Sequence, residues 1–141
     1  MASMIKKGYK ALVAEAEAEI ENLSVAEALP LLDDPNVVMV DLRDIRELQR
    51  EGCIPGSLHA PRGMLEFWVD PDSPYHKEIF SSGKRFIFHC AAGWRSALAT
   101  QAVQRMGLTP VAHIQGGVTA WKEAGGPIVS LEEHKAARKK A

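Results

Sequence analysis

The stretch that leaves this chain least freedom runs from Arg85 to Ser96: Arg-Phe-Ile-Phe-His-Cys-Ala-Ala-Gly-Trp-Arg-Ser. Phe86, Ile87 and Phe88 form an apolar run with high strand propensity. Cys90 to Arg95 make a tight turn that contains Gly93. From Ser96 a helical pattern carries Leu98, Val103 and Met106 to a stop at Gly107. A strand that ends, a short loop and a helix that begins leave several backbone N–H groups unpaired and aimed into one small space. The helix N-terminus adds partial positive charge there, so the loop is a cradle for an anion. A cysteine at its centre is expected to be a thiolate at neutral pH and therefore a nucleophile. Arg95 supplies a fixed positive charge for an anionic substrate, and Gly93 supplies dihedrals that a Cβ would forbid.

Only four residues, Ala91, Ala92, Gly93 and Trp94, separate Cys90 from Arg95. Cysteine phosphatases place one more residue here, which widens the ring enough for a tetrahedral oxyanion. The shorter ring suits a single sulfur atom carried on the cysteine. The segment Cys-Ala-Ala-Gly-Trp-Arg-Ser resembles the active-site loop of rhodanese-family sulfurtransferases in their single-domain form. Two further segments carry the same resemblance. Asp41, Arg43, Glu47, Gly52, Ile54, Pro55, Gly56 and Pro61 follow the family's Asp-x-Arg, Glu and Gly-His-Ile-Pro-Gly-Ala pattern. Cys53 stands where the family often has His, and Ser57 where Ala is common. Gly116-Gly117, Trp121 and Gly125-Gly126-Pro127 resemble its closing signature. The resemblance covers about residues 24–127. It implies a three-layer α/β/α fold with a central, mainly parallel sheet, and Cys90 at the carboxyl edge of a central strand, where open α/β sheets place their sites.

The pattern of elements agrees with an α/β class by itself, because apolar strands alternate with helical segments. Tyr9 to Ile20 has helical spacing at Leu12, Val13, Ala16 and Ile20, with Glu15, Glu17, Glu19 and Glu21 between them. It reads as an amphipathic helix packed on the domain's flank, with a dimer contact as the sharper alternative. Ser24 with Glu27, and Asp44 with Glu47, are capping signatures for two helices. Between these caps Val37 to Val40 is a β-branched strand. Arg43 and Glu47 lie one turn apart, a spacing at which they could pair. Ser57 to Ala60 is long enough for a short strand. Residues 62–84 are expected to form two short helices around a Pro-rich turn. They serve as a satellite core, or as a wall over the Cys90 loop shaped by Trp68 or Tyr75. Val111 to Ile114 is a last strand, and Ser130 with Glu133 caps a terminal helix. The chain therefore divides into an N-terminal helical extension (1–23), the domain proper (24–128) and a basic helical tail (129–141).

At 141 residues the chain has the size of one domain. A net charge of -1 makes no case for a nucleic-acid or membrane partner. No apolar run reaches membrane-spanning length, and the N-terminus lacks the order of a signal peptide. Two cysteines make no disulfide framework, and a reactive thiol needs a reducing compartment, so a cytoplasmic location is expected.

The resemblance assigns Cys90 as the nucleophile that takes a sulfane sulfur from a small anionic donor such as thiosulfate. The resulting persulfide is then discharged to a thiophilic acceptor, cyanide or a thiol. Ala91, Ala92, Gly93, Trp94, Arg95 and Ser96 form the substrate-binding loop. The N–H groups of residues 91–95 would face the sulfur, and Ser96 would either bond the sulfur or cap the helix. Trp94 would face the pocket mouth or pack on the 62–80 segment. His89 is aimed by strand alternation to the opposite face and is read as structural. The histidines show no metal-ligand spacing, so no metal and no cofactor are expected. Cys53 reads as packed. The competing functions are a phosphatase or arsenate reductase on the same scaffold, a regulatory binding module, and a persulfide carrier serving a partner protein. The chain is expected to be a monomer or homodimer.

Overall fold

Strand β4 (Arg85–His89) is apolar on successive residues because both of its faces are covered. Phe86 and Phe88 enter one core and Ile87 the other. The computed structural model describes residues 4–140. Within them β4 is the centre of a five-stranded sheet of order β1-β5-β4-β2-β3, parallel throughout. The other strands are β1 (Glu21–Leu23), β2 (Val37–Asp41), β3 (Leu58–His59) and β5 (Val111–Ile114). The helices are α1 (Tyr9–Glu19), α2 (Val25–Ala28), α3 (Ile45–Glu51), α4 (Leu65–Val69), α5 (Trp94–Arg105), α6 (Gly117–Glu123) and α7 (Leu131–Lys140).

On one side, Leu65 and Val69 of α4 and Ala99 and Val103 of α5 close over Val40, Phe86, Phe88 and Val111. On the other, Val25 and Ala28 of α2 and Trp121 of α6 close over Met39, Ile87, Ala112 and Ile114. This is the expected α/β/α sandwich. Helix α1 lies outside it, packing Val13, Ala16 and Ile20 against Ala97 and Leu98 of α5. The expected flank packing is therefore present. All three capping boxes form, at Ser24, Asp44 and Ser130.

Three local expectations differ from the structure. Strand β1 has no counterpart in the sequence pattern, since Glu-Asn-Leu has little strand propensity. It forms because β5 offers an edge, with Glu21, Asn22 and Leu23 in register with Ala112, His113 and Ile114. Helix α5 begins at Trp94 rather than Ser96, since Gly93 takes φ +97° and turns the chain directly into the helix. Arg43 does not pair with Glu47. Its side chain is buried and turned inward, where Nε and Nη2 grip the carboxylate of Asp41 at 2.8–3.2 Å and Nη2 reaches the carbonyl of Gly52 at 2.8 Å.

This buried ion pair braces the carboxyl end of β2. Burial opposes ionisation of Asp41, but His89 and Arg43 outweigh it and hold the carboxyl well below the ordinary carboxylate range. Asp41→Asn leaves the Arg43 guanidinium buried without its counter-charge and is expected to cost about 3–5 kcal/mol in a urea titration. The unfolded chain takes up the Asp41 proton first. The stabilisation is therefore present above about pH 4 and is lost as the pH falls below it. The variant should lack that acid-dependent component.

Candidate active site

Asp41 and His89 end their strands in register, and the chain leaves the sheet at Cys90 on the carboxyl edge. Gly93 turns the loop back so that two main-chain donors converge on Cys90. The N–H of Gly93 lies 3.2 Å from Sγ and that of Ser96 lies 3.4 Å from it. The donors are thus one loop amide and one amide from the first turn of α5. They complement a negative charge on sulfur, and the helix dipole adds to them. Cys90 is only 1% exposed, while Ala92 and Trp94 of the loop above it are open to solvent.

The other side of the loop is held by α6. Val118 N–H donates to the carbonyl of Cys90 at 2.9 Å and Thr119 N–H to that of Ala91 at 3.1 Å. The approach is close enough that a Cβ on Gly117 would run into the Cys90 carbonyl and come within 2.7 Å of the Ala91 oxygen. Gly117 also has φ +57°. Its glycine serves backbone contact with the cysteine loop as well as a turn.

Ser96 is fully buried and does not cap the helix. Its hydroxyl meets Cys90 Sγ at 3.6 Å and His113 Nδ1 at 2.9 Å. His113 Nε2 in turn lies 2.8 Å from Asn22 Oδ1. Burial pushes His113 down to about 4, so its ring is neutral at pH 7. Nothing in the spacing of the chain marks Asn22 or His113 as neighbours of Cys90. The only local signal is that alternation puts His113 on the α5 face of β5, beside Val111 rather than Ala112 and Ile114.

Arg95 is not a free cation. It grips Glu47 with Nη1 and Nη2 at 2.8 and 2.9 Å. The bond from Glu47 raises its already high pKa, and the nearness of Cys90 adds to this. Glu47 also accepts from the Asp44 N–H at 2.9 Å, so one carboxylate both caps α3 and ties it to α5. Trp94 stacks at a tilt on Tyr9 of α1, with centroids 4.9 Å apart. Trp68 lines a cavity of about 550 Å³ with Val37, Leu58, Lys77 and Arg138, which contains no residue of the Cys90 loop. Tyr75 is exposed. His89 is buried beside Asp41, with Nε2 at 3.4 Å from Oδ2. Cys53 is buried, bridges Val129 through its backbone, and has its thiol pushed up by burial. Both cysteines are free.

The family model for the rhodanese-like domain matches residues 24–124. This chain belongs to that family. The rhodanese-like domain thus takes in the Asp41–Arg43 brace, the Cys90 loop and the Gly117 clamp, while Tyr9 and Asn22 come from the segment before it. Thiosulfate:glutathione sulfurtransferase of Saccharomyces cerevisiae is 33% identical over 104 residues, 70% of this chain and 73% of the relative. The solved polysulfide-sulfur transferase homodimer of Wolinella succinogenes is 29% identical, with a TM-score of 0.65 over 89% of this chain and 90% of that one. A protein of unknown function from Rhodopseudomonas palustris, described as a possible tyrosine phosphatase, is 54% identical. Its TM-score is 0.88, over 92% of this chain and 99% of that one.

Gly117→Ala should destabilise the rhodanese-like domain by about 2 kcal/mol or more, since it combines a left-handed φ with a backbone clash. A urea midpoint equal to the parent's would show that α6 does not fix the loop.

Proposed function

We propose that this protein is a sulfurtransferase that carries sulfane sulfur as a persulfide on Cys90. The observation that carries this reading is the pair of N–H groups, from Gly93 and Ser96, aimed at one sulfur at the start of a helix. In the first step the Cys90 thiolate attacks the outer sulfur of a donor such as thiosulfate. A bond forms from Sγ to that sulfur, the donor's own S–S bond breaks, and sulfite leaves with the electron pair. In the second step a nucleophilic acceptor attacks the outer sulfur of the persulfide, the Cys90 S–S bond breaks, and the thiolate returns. Cyanide would leave as thiocyanate and a thiol as a new persulfide. The two amides complement the anionic sulfur in both steps. Free thiols of this kind require a reducing compartment, and the cytoplasm is the one we propose.

Intact-mass analysis after incubation with thiosulfate should show one added sulfur that maps to Cys90 and is removed by cyanide. Cys90→Ser should abolish this while keeping the parent's unfolding midpoint. Sulfur found on Cys53 instead, or none at all, would overturn the assignment.

Arg95→Ala tests how the donor is held. Loss of a charge-assisted contact should raise the KM for thiosulfate about tenfold with a smaller change in kcat. A large fall in kcat at unchanged KM would mean that Arg95 acts by bracing the loop through Glu47.

A phosphatase reading is favoured by the description of the Rhodopseudomonas protein. The four-residue interval between Cys90 and Arg95 counts against it, and turnover of an aryl phosphate ester by the parent but not by Cys90→Ser would establish it. A persulfide carrier that discharges to a partner protein differs from the main reading only in its acceptor.

A further inference from the structure

Behind Cys90 lies a chain of hydrogen bonds, buried at Ser96 and His113 and half-buried at Asn22, whose proton positions can be worked out. Asn22 Nδ2 donates to the carbonyls of Glu17 at 2.8 Å and Ile20 at 3.1 Å, so its Oδ1 is the atom that faces His113 Nε2. An oxygen without a proton requires Nε2 to carry one. The neutral ring therefore presents a lone pair at Nδ1, and the Ser96 hydroxyl must donate to it. That leaves a lone pair of Ser96 Oγ facing Cys90 Sγ, where the thiol proton is the donor. The order S–H to O–H to Nδ1 is thus set from its far end by Asn22.

We propose that Ser96, His113 and Asn22 form a proton relay for Cys90, in which the thiol proton passes to Ser96 Oγ as the Ser96 proton passes to His113 Nδ1. The products are a thiolate, a re-formed serine hydroxyl that now donates to it, and an imidazolium held by Ser96 and Asn22. One proton moves at each link, and the net charge of the site is unchanged. When the persulfide is discharged the same proton can return, so the relay deepens the sulfurtransferase reading and rests on it. Ser96 touches the reacting sulfur; His113 and Asn22 are positioning residues that act through it.

The charged side chains around this network are paired with one another, so the thiolate is the counter-charge left for an imidazolium. Glu21 on β1 pairs with Arg85 of β4, and Arg105 on α5 with Glu19 of α1. Arg95 on α5 is held by Glu47, and His89 of β4 lies beside Asp41. Glu15 of α1 is with Lys7, and Glu17 offers this network only its carbonyl. Burial is what keeps His113 neutral, and a thiolate one hydroxyl away is the charge that offsets that burial. Asn22 lies upstream of the residues matched by the family model, 24–124, so the extension supplies part of the cysteine's environment.

The test follows the ultraviolet thiolate band against pH, with the Cys90→Ser spectrum subtracted, in the parent and in Ser96→Ala, His113→Gln and Asn22→Ala. Ser96→Ala and His113→Gln should move the half-point of the band upward by about one pH unit. Asn22→Ala should move it in the same direction by less. If the variants lower the unfolding midpoint and leave the half-point in place, the network is structural and the relay is wrong. Because the band needs no sulfur donor, the two readings fail separately. Absent thiosulfate loading with a shifted band removes the reaction, and an unmoved band with normal loading removes the relay.

Discussion

The cysteine loop has almost no structure of its own and is held by backbone bonds on two sides. From α5 and Gly93, N–H groups point at the sulfur. From α6, N–H groups point at the carbonyls of Cys90 and Ala91. Each helix spends otherwise unpaired first-turn donors on the same six-residue turn. The parallel sheet makes this possible, because β4 and β5 both end on the same edge and their following helices start side by side. Gly117 is the point where the two systems come too close for a side chain, and Gly93, in a left-handed conformation, leaves only a tight fit against Gly116. The remainder of the fold serves to keep those two helix starts in place.

What could be seen in the sequence and what could not divide along the distance between the residues involved. The strand, loop and helix from Arg85 to Arg105 are local, so periodicity and one glycine reveal them. The same holds for the caps at Ser24, Asp44 and Ser130. Arg43 shows where such reasoning fails. Its one-turn spacing from Glu47 suggests a surface pair, yet the buried Asp41 beside it is a stronger partner in a place without water. Glu47 was then free for Arg95, 48 positions away. Asn22, His113 and Ser96 meet across 91 positions and three elements. No pattern in the chain carries that information, since it depends on β1 pairing with β5, and β1 has no strand signature.

The segment before the family match is more than a flank. Helix α1 hides Val13, Ala16 and Ile20 on α5, and the α1–β1 junction is tied down by Asn22, which bonds two carbonyls of its own turn. Gln101, Gln104 and Arg105 of α5 all reach Glu19 at the end of α1. The same helix that delivers an N–H to the sulfur is therefore fixed along its outer side by the extension. Tyr9 extends this contact to Trp94 on the exposed rim of the loop. Truncation before Ser24 would strip α5 of its cover and expose an apolar seam at the same time.

The balance of charge at the site follows from these contacts. Arg95 is a cation close to the cysteine, but Glu47 takes both of its terminal nitrogens, so its field at the sulfur is partly cancelled. The buried pair Asp41–Arg43 is likewise neutral overall. Main-chain dipoles are then the principal fixed source of positive potential at Sγ. Such dipoles are short-ranged and do not reorganise, so they favour an anion confined to one atom over one spread across several oxygens. A phosphoryl group needs donors around three oxygens and a cation to match, whereas an anionic sulfur needs only what Gly93 and Ser96 provide. The width of the ring, fixed by the four residues between Cys90 and Arg95, is therefore what separates a sulfur anion from a phosphoryl group, because Arg95 would serve the oxyanion of either substrate.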